Sequence, residues 1–157
     1  MAATVISRLP DRYAEMPTGW NPVDHTVELP ITSIDEAGDD TLCFLFPSEA
    51  YLDVQSLHID CDDLDSHATP TIVFDVGIGD SDGVIDTVLI NDSAAGQTGA
   101  FDDADSAPGG TLAAKYLDVS NKYLILTIVT AAATDAAGGV KFNFQWSKNL
   151  VPTSTSS

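Results

Sequence analysis

Short runs in which apolar and polar residues alternate one by one restrict the fold of this chain more than any other feature. The most regular run is Val140–Trp146, VKFNFQW, in which every even position is large and apolar and every odd position is polar. The runs Thr41–Phe46 and Ile72–Ile78 likewise place a large apolar residue at every even position. A period of two is typical of a β-strand with one buried face, so these segments are predicted strands.

The longest strand-rich stretch is Tyr51–Ile90, which holds three strand-like runs joined by turns dense in aspartate. Within the first run, apolar residues stand at even positions as far as Val54 and at odd positions from Leu57 onward. Such a change of phase inside one strand predicts a β-bulge near Gln55 and Ser56.

The remaining segments complete an all-β pattern. Tyr123–Val129 is apolar on both faces, which predicts a central strand, and Thr111–Val119 fits a short strand or a helical turn. Asn91–Gly110 is rich in turn residues and is predicted to be a long exposed contact loop. About seven short strands without a helical pattern predict an antiparallel β-sandwich, jelly-roll-like or similar.

Prolines divide the chain into an arm, a domain and a tail. Four prolines within residues 1–30 disfavour regular structure there and predict an extended N-terminal arm. Residues 31–150 then form the sandwich domain, and 151–157 form a solvated tail. The arm lies either against its own sandwich or against a neighbouring subunit. Its apolar side chains are the predicted partner-binding residues: Leu9, Tyr13, Met16, Trp20 and Val23.

The charge of the chain is strongly negative and unevenly placed. The 24 acidic and 6 basic residues give a formal net charge of −18. No basic residue lies between Tyr13 and Ala114, a span that holds all but three of the acidic ones. A field of this sign repels phosphate backbones and anionic membranes, so neither is an expected partner. A solvated acidic surface or cation binding is compatible with it.

The acidic turns are weak calcium candidates, because calcium takes six to eight oxygen ligands. Neither turn completes an EF-hand loop, since the distal glutamate is absent. The three histidines do not form a zinc pattern, and no nucleophile or phosphate-binding motif is present, so no enzyme activity and no cofactor is predicted. The calcium candidates are Asp60, Asp62, Asp63, Asp65, Asp80 and Asp82.

Two cysteines, Cys43 and Cys61, both fall inside strand-like runs. Two thiols do not make a disulfide scaffold, and they are either buried and free or joined by a single bridge. The first residues do not contain an apolar run long enough for a signal peptide, which predicts synthesis in a cytoplasm without an export signal.

Two segments carry a resemblance to a known class of proteins. LHIDCDDLDSHATPTIVFDVGIGD (57–80) and KYLILTIVTAAATDAAGGVKFNFQW (122–146) resemble small virion proteins of tailed bacteriophages, namely capsid decoration (cement) or related head-structural proteins. The shared features are an acid-rich strand end, a Thr-Pro-Thr opening to the next strand and an Ala/Thr-rich turn between the last two strands. The resemblance covers roughly residues 51 to 147.

The resemblance implies a non-enzymatic module on the outer surface of a capsid. Such a module binds the major capsid protein, is often a homotrimer, stabilises the shell and is assembled in the host cytoplasm. The predicted arm and the acidity agree with this role, because packed DNA repels an acidic protein. Two alternatives remain open: a carbohydrate-binding or host-adhesion sandwich using residues 91–110 and Trp146, and a tail or neck component of the virion.

Overall fold

A computed structural model of the chain describes residues 4–5, 23–31, 40–104 and 116–148. Within these ranges the chain forms ten strands and one turn of 3-10 helix at Ala95–Gln97. The strands are β1 (Thr4–Val5), β2 (Val23–Ile31), β3 (Asp40–Leu45), β4 (Ala50–Cys61), β5 (Val73–Gly79), β6 (Ile85–Ser93), β7 (Phe101–Asp103), β8 (Tyr116–Asp118), β9 (Tyr123–Thr130) and β10 (Gly138–Lys148).

The strands form two sheets that pack face to face. Sheet A has the order β1-β3-β9-β5-β6, and sheet B has the order β2-β10-β4-β7, with β8 also paired to β4. All pairings are antiparallel except the short one between β1 and β3. Apart from β1 and β8, the chain crosses from one sheet to the other at almost every connection, as in a jelly roll. The predicted antiparallel, jelly-roll-like sandwich is confirmed.

The core lies between the sheets, where the alternating runs place their apolar residues. Phe142, Phe144 and Trp146 of β10 are all buried, while Lys141 of the same strand is exposed. β9 lies between β3 and β5 and buries Leu124, Ile125 and Leu126 in succession, as expected of a strand covered on both faces. Trp146 is 1 % exposed, so it belongs to the core and does not form a sugar-binding surface.

The predicted bulge in β4 is present. Asn143 and Gln145 of β10 pair with His58 and Asp53 of β4, so four β4 residues lie opposite one β10 residue. At the bulge, the Ser56 hydroxyl replaces a backbone partner in the ladder. It donates to the Asp53 carbonyl at 2.6 Å and accepts the Gln145 N–H at 2.7 Å. The bulge lets both halves of β4 direct apolar residues into the core, despite the change of phase.

Two predicted boundaries differ from the structure. Val23–Ile31 forms β2, which pairs with β10 over nine residues, so the last part of the predicted arm belongs to the sandwich. Pro30 is tolerated because β2 is an edge strand in the described fold and its partner Gly139 bonds through its N–H and C=O to Asp62, so the missing Pro30 N–H breaks no bond to β10. The predicted loop 91–110 is also partly regular: β6 extends to Ser93, the 3-10 turn follows, and β7 begins at Phe101. Residues 105–110, like 151–157, lie outside the described residues.

Cys43 and Cys61 are free and buried, which agrees with the first of the two alternatives. Burial raises the pKa of each thiol to about 12, and for Cys61 the nearby carboxylates of Asp60, Asp102 and Asp62 add to the effect. Both thiols are therefore protonated and unreactive at neutral pH. No helix in the described part of the chain is long and apolar enough to cross a membrane.

Candidate interaction surfaces

The outer face of sheet B is a polar surface organised in cross-strand rows. Side chains at odd positions of β10 point away from the core and meet partners on β2 and β4. Thr26 donates to Asn143 Oδ1 at 2.8 Å, and Gln145 donates to Asp24 Oδ1 at 2.6 Å. The three rows hold five carboxylates and one lysine: Glu28, Lys141, Asp60 and Phe101; Thr26, Asn143, His58 and Asp103; Asp24, Gln145 and Asp53.

Phe101 is the exception to this polar face. It opens β7 opposite Asp60, and 74 % of its surface is exposed, more than for any other large apolar side chain in the described ranges. Its backbone is nevertheless fixed on both sides. The Cys61 N–H donates to the Ala100 carbonyl at 2.8 Å, and the Ala104 N–H donates to the Leu57 carbonyl at 3.0 Å.

A buried carboxylate ties together the loops at the end of the sandwich next to Phe101. Asp65 is 1 % exposed and accepts five backbone N–H groups at 2.6–3.3 Å. Burial alone raises the pKa of Asp65, but these donors outweigh it and hold the pKa well below its usual range. We call this end, formed by loops 62–72, 94–100 and 131–137, the Asp65 end. The five donors are His67, Thr71, Ile72, Ala133 and Thr134.

The opposite end of the sandwich is formed by loops 46–49, 80–84 and 119–122, and we call it the Lys122 end. Lys122 lies 2.8 Å from Asp80 and 3.1 Å from Asp86, and hydrogen bonds to these carboxylates raise the pKa of its ammonium group. Val84, in the same set of loops, is 57 % exposed. β4 runs from Ala50, which accepts the Val119 N–H at this end, to Asp60 beside Phe101, so the length of β4 separates the Lys122 end from Phe101.

The calcium candidates serve separate hydrogen-bond networks. Asp62 accepts the Gly139 N–H at 2.9 Å, Asp63 accepts the Asp65 N–H at 3.2 Å, and Asp82 accepts the Val84 N–H at 3.1 Å. Among the described residues, no group of three or more His, Cys, Asp or Glu side chains is arranged to hold a metal ion. A concavity of about 100 Å³ lined by Glu28, Asp60, Asp62 and Lys141 is smaller than typical ligand pockets.

Four of the five predicted arm contacts fall in a segment that the structure does not describe. Leu9, Tyr13, Met16 and Trp20 lie outside the described residues. Val23 begins β2 opposite Trp146 and so belongs to sheet B. Sequence reasoning missed Phe101, and the signal available was an isolated aromatic residue followed by two aspartates.

The fold is similar to that of chains in two phage capsids. A chain in the capsid of Ralstonia phage GP4 is 21 % identical with a TM-score of 0.67, and the match covers 88 % of this chain and 95 % of that one. A chain in the capsid asymmetric unit of cyanophage Pam1 is 20 % identical with a TM-score of 0.57, covering 83 % and 89 %. No protein-family model and no curated protein matches this chain.

Proposed function

We propose that this chain is a structural virion protein that decorates the outer surface of a phage capsid by binding major capsid subunits. The observation that carries the proposal is that each structural match covers most of this chain and most of the capsid chain. More than four fifths of this chain and of both matched capsid chains superimpose, so those chains are small sandwiches of similar size. A small sandwich found in phage heads suits an accessory role on a shell.

The charge supports a place on the outer surface. A protein of net charge −18 is repelled by packed DNA, which carries one negative charge per about 1.7 Å of helix axis. Carboxylates outnumber lysines five to one in the three rows described on the outer face of sheet B. An outward position avoids this repulsion, and assembly onto the shell in the host cytoplasm is consistent with it.

The geometry of the described residues favours binding over catalysis. The two thiols are protonated, and the most deeply buried carboxylate is occupied by backbone donors. The three histidines lie apart: His25 packs on Phe44, His58 faces Asn143 and Asp103, and His67 bonds to Thr69. These arrangements stabilise the fold, and they support a non-enzymatic role.

The experiment mixes the purified chain with DNA-filled heads from a phage mutant that lacks the gene for this chain. We expect saturable co-sedimentation and cryo-EM density on the outer head surface, with the three-fold clustering of a trimer. Density at the neck or tail supports the tail alternative instead. Absence of binding to any virion part contradicts the proposal.

A deletion variant tests the arm. Removing residues 1–22 keeps β2 and takes away only the two-residue strand β1 from the described fold. We expect this variant to keep a melting temperature close to that of the intact chain and to lose head binding, because Leu9, Tyr13, Met16 and Trp20 are the proposed apolar anchors. Binding at full affinity rules out the arm as the anchor.

A further inference from the structure

The exposure of Phe101 is not explained by the fold. The ring is 74 % exposed, so its contribution to the core is small, and most of its apolar surface remains in water. Neighbouring positions of β7 are polar, as is usual for an edge strand. An exposed aromatic ring at such a position is a common feature of protein–protein contact sites.

The ring is presented on a backbone that is already ordered. Phe101 pairs with Asp60 in the β4–β7 ladder, and Ala100 and Ala104 on either side are hydrogen bonded to β4. The preceding 3-10 turn is held in the same way, because the Leu64 N–H donates to the Gly96 carbonyl at 2.8 Å. Binding through a pre-ordered segment avoids most of the entropy cost of fixing a loop.

The surroundings of Phe101 define the chemistry of the partner. Asp60 lies beside the ring across the ladder, Asp103 lies two residues along the same strand face, and both are exposed. Glu28 and Asp62 lie further along the same side of the sheet, around a single lysine. A partner that covers Phe101 must therefore approach a negative rim, which favours lysine and arginine on its side.

A second copy of this chain does not meet that requirement. Docking two copies through this same surface would place Asp60, Asp103 and Glu28 of one copy against those of the other, so two such surfaces repel each other. Like charges across an interface suppress the wrong partner. The occupant is therefore a different protein with a basic surface.

We infer that Phe101 anchors the sandwich to a shell subunit by entering an apolar pocket bordered by lysine and arginine residues. This contact rests on the proposed function, adds to the arm, and orients the Asp65 end of the sandwich toward the shell. The anchor is apolar, and the carboxylates around it speed association and set its orientation.

The test measures binding of Phe101→Ala to the same gene-deficient heads, with Val84→Ala as the matched control at the Lys122 end. We expect Phe101→Ala to lose affinity by at least about 30-fold, as for a hot-spot residue, and Val84→Ala to bind like the wild-type chain. Both variants should keep the wild-type melting temperature, since both side chains are largely exposed.

Two further measurements separate the roles of the ring and its rim. Wild-type affinity should fall as salt is raised from about 0.05 M to about 0.5 M, and the double variant Asp60→Asn, Asp103→Asn should weaken this dependence.

Equal affinity of Phe101→Ala and wild type overturns the inference while leaving the proposed function intact. Failure of the wild-type chain itself to bind heads overturns both.

Discussion

The Asp65 carboxylate accepts the backbone N–H of Ala133 at 2.8 Å, although the two residues are 68 positions apart in the chain. The same oxygen, Oδ2, also accepts the N–H of Thr71 at 2.6 Å. One buried side chain thus joins the loop before β5 to the turn between β9 and β10. It completes backbone hydrogen bonds that neither loop satisfies within a sheet.

Replacing Asp65 by Asn should destabilise the sandwich. An amide has one acceptor oxygen where the carboxylate has two, and its NH₂ group faces backbone donors. We expect the melting temperature to fall by at least about 5 °C, measured by circular dichroism or calorimetry. Asp82→Asn, which changes a carboxylate that accepts a single N–H in an exposed turn, is the control and should change it little.

The loss of folding stability in acid should depend on the same Asp65 carboxylate. The pKa of Asp65 is lowered in the folded state, so its stabilising effect is complete above the unfolded value of about 3.9 and declines as pH falls below it. Denaturant titrations at a series of pH values should show a steeper loss of stability below about pH 4 for the wild type than for Asp65→Asn. Parallel curves contradict this role.

His25 should give a second pH dependence nearer to neutrality. It is half-buried, with ring centroids 4.6 Å from Phe44 and 5.6 Å from Phe144, and burial lowers its pKa. The unfolded chain binds the proton at about pH 6.5 and the folded chain only at lower pH, so stability falls as the pH drops through that interval. His25→Phe should flatten the curve of stability against pH between about pH 7 and 5.

Phe144 connects the two sheets through aromatic contacts. Its ring lies 5.3 Å from Phe44 and 5.6 Å from Phe46, and it is buried in the core. Phe144→Ala should lower the free energy of unfolding by about 3–5 kcal/mol, measured by chemical denaturation. Asn143→Ala, on the outer face of the same strand, should cost less than about 1 kcal/mol.

Ser56 should be essential to the bulge in β4. Ser56→Ala leaves the Gln145 N–H without its 2.7 Å acceptor, and we expect a loss of about 1–3 kcal/mol. Ser81→Ala, in an exposed turn, is the comparison and should be close to neutral. A loss no larger than that of the control indicates that water replaces the hydroxyl.

Local patterning was sufficient for the strands with one clear apolar face. The alternation in Val140–Trp146 predicted β10, and the phase change after Val54 predicted the bulge, because both depend only on neighbouring side chains. β2 was harder to recognise. His25 interrupts its apolar face, Pro22 precedes it and Pro30 lies within it, although an edge strand tolerates proline.

Contacts between distant segments were not accessible from the sequence. Asp65 stands among several similar aspartates, and only the fold brings five N–H donors around it. Likewise, Phe74 lies in an alternating run that predicts its burial, whereas Phe101 stands alone before two aspartates, and its exposure depends on the place of β7 at an edge of sheet B. Whether such a side chain is exposed depends on where its strand lies in the sheet, and the local sequence does not specify that position.

The position of β10 has a consequence for biosynthesis. It is the last described strand in sequence, yet it lies between β2 and β4, which are joined in sheet B only through it. The ribosome therefore delivers the other nine described strands before β10 can join β2 to β4, and until then both of these strands have unpaired edges. Acidic side chains on these strands, such as Asp24, Glu28 and Asp60, repel one another and so disfavour pairing between the unpaired edges of different nascent chains.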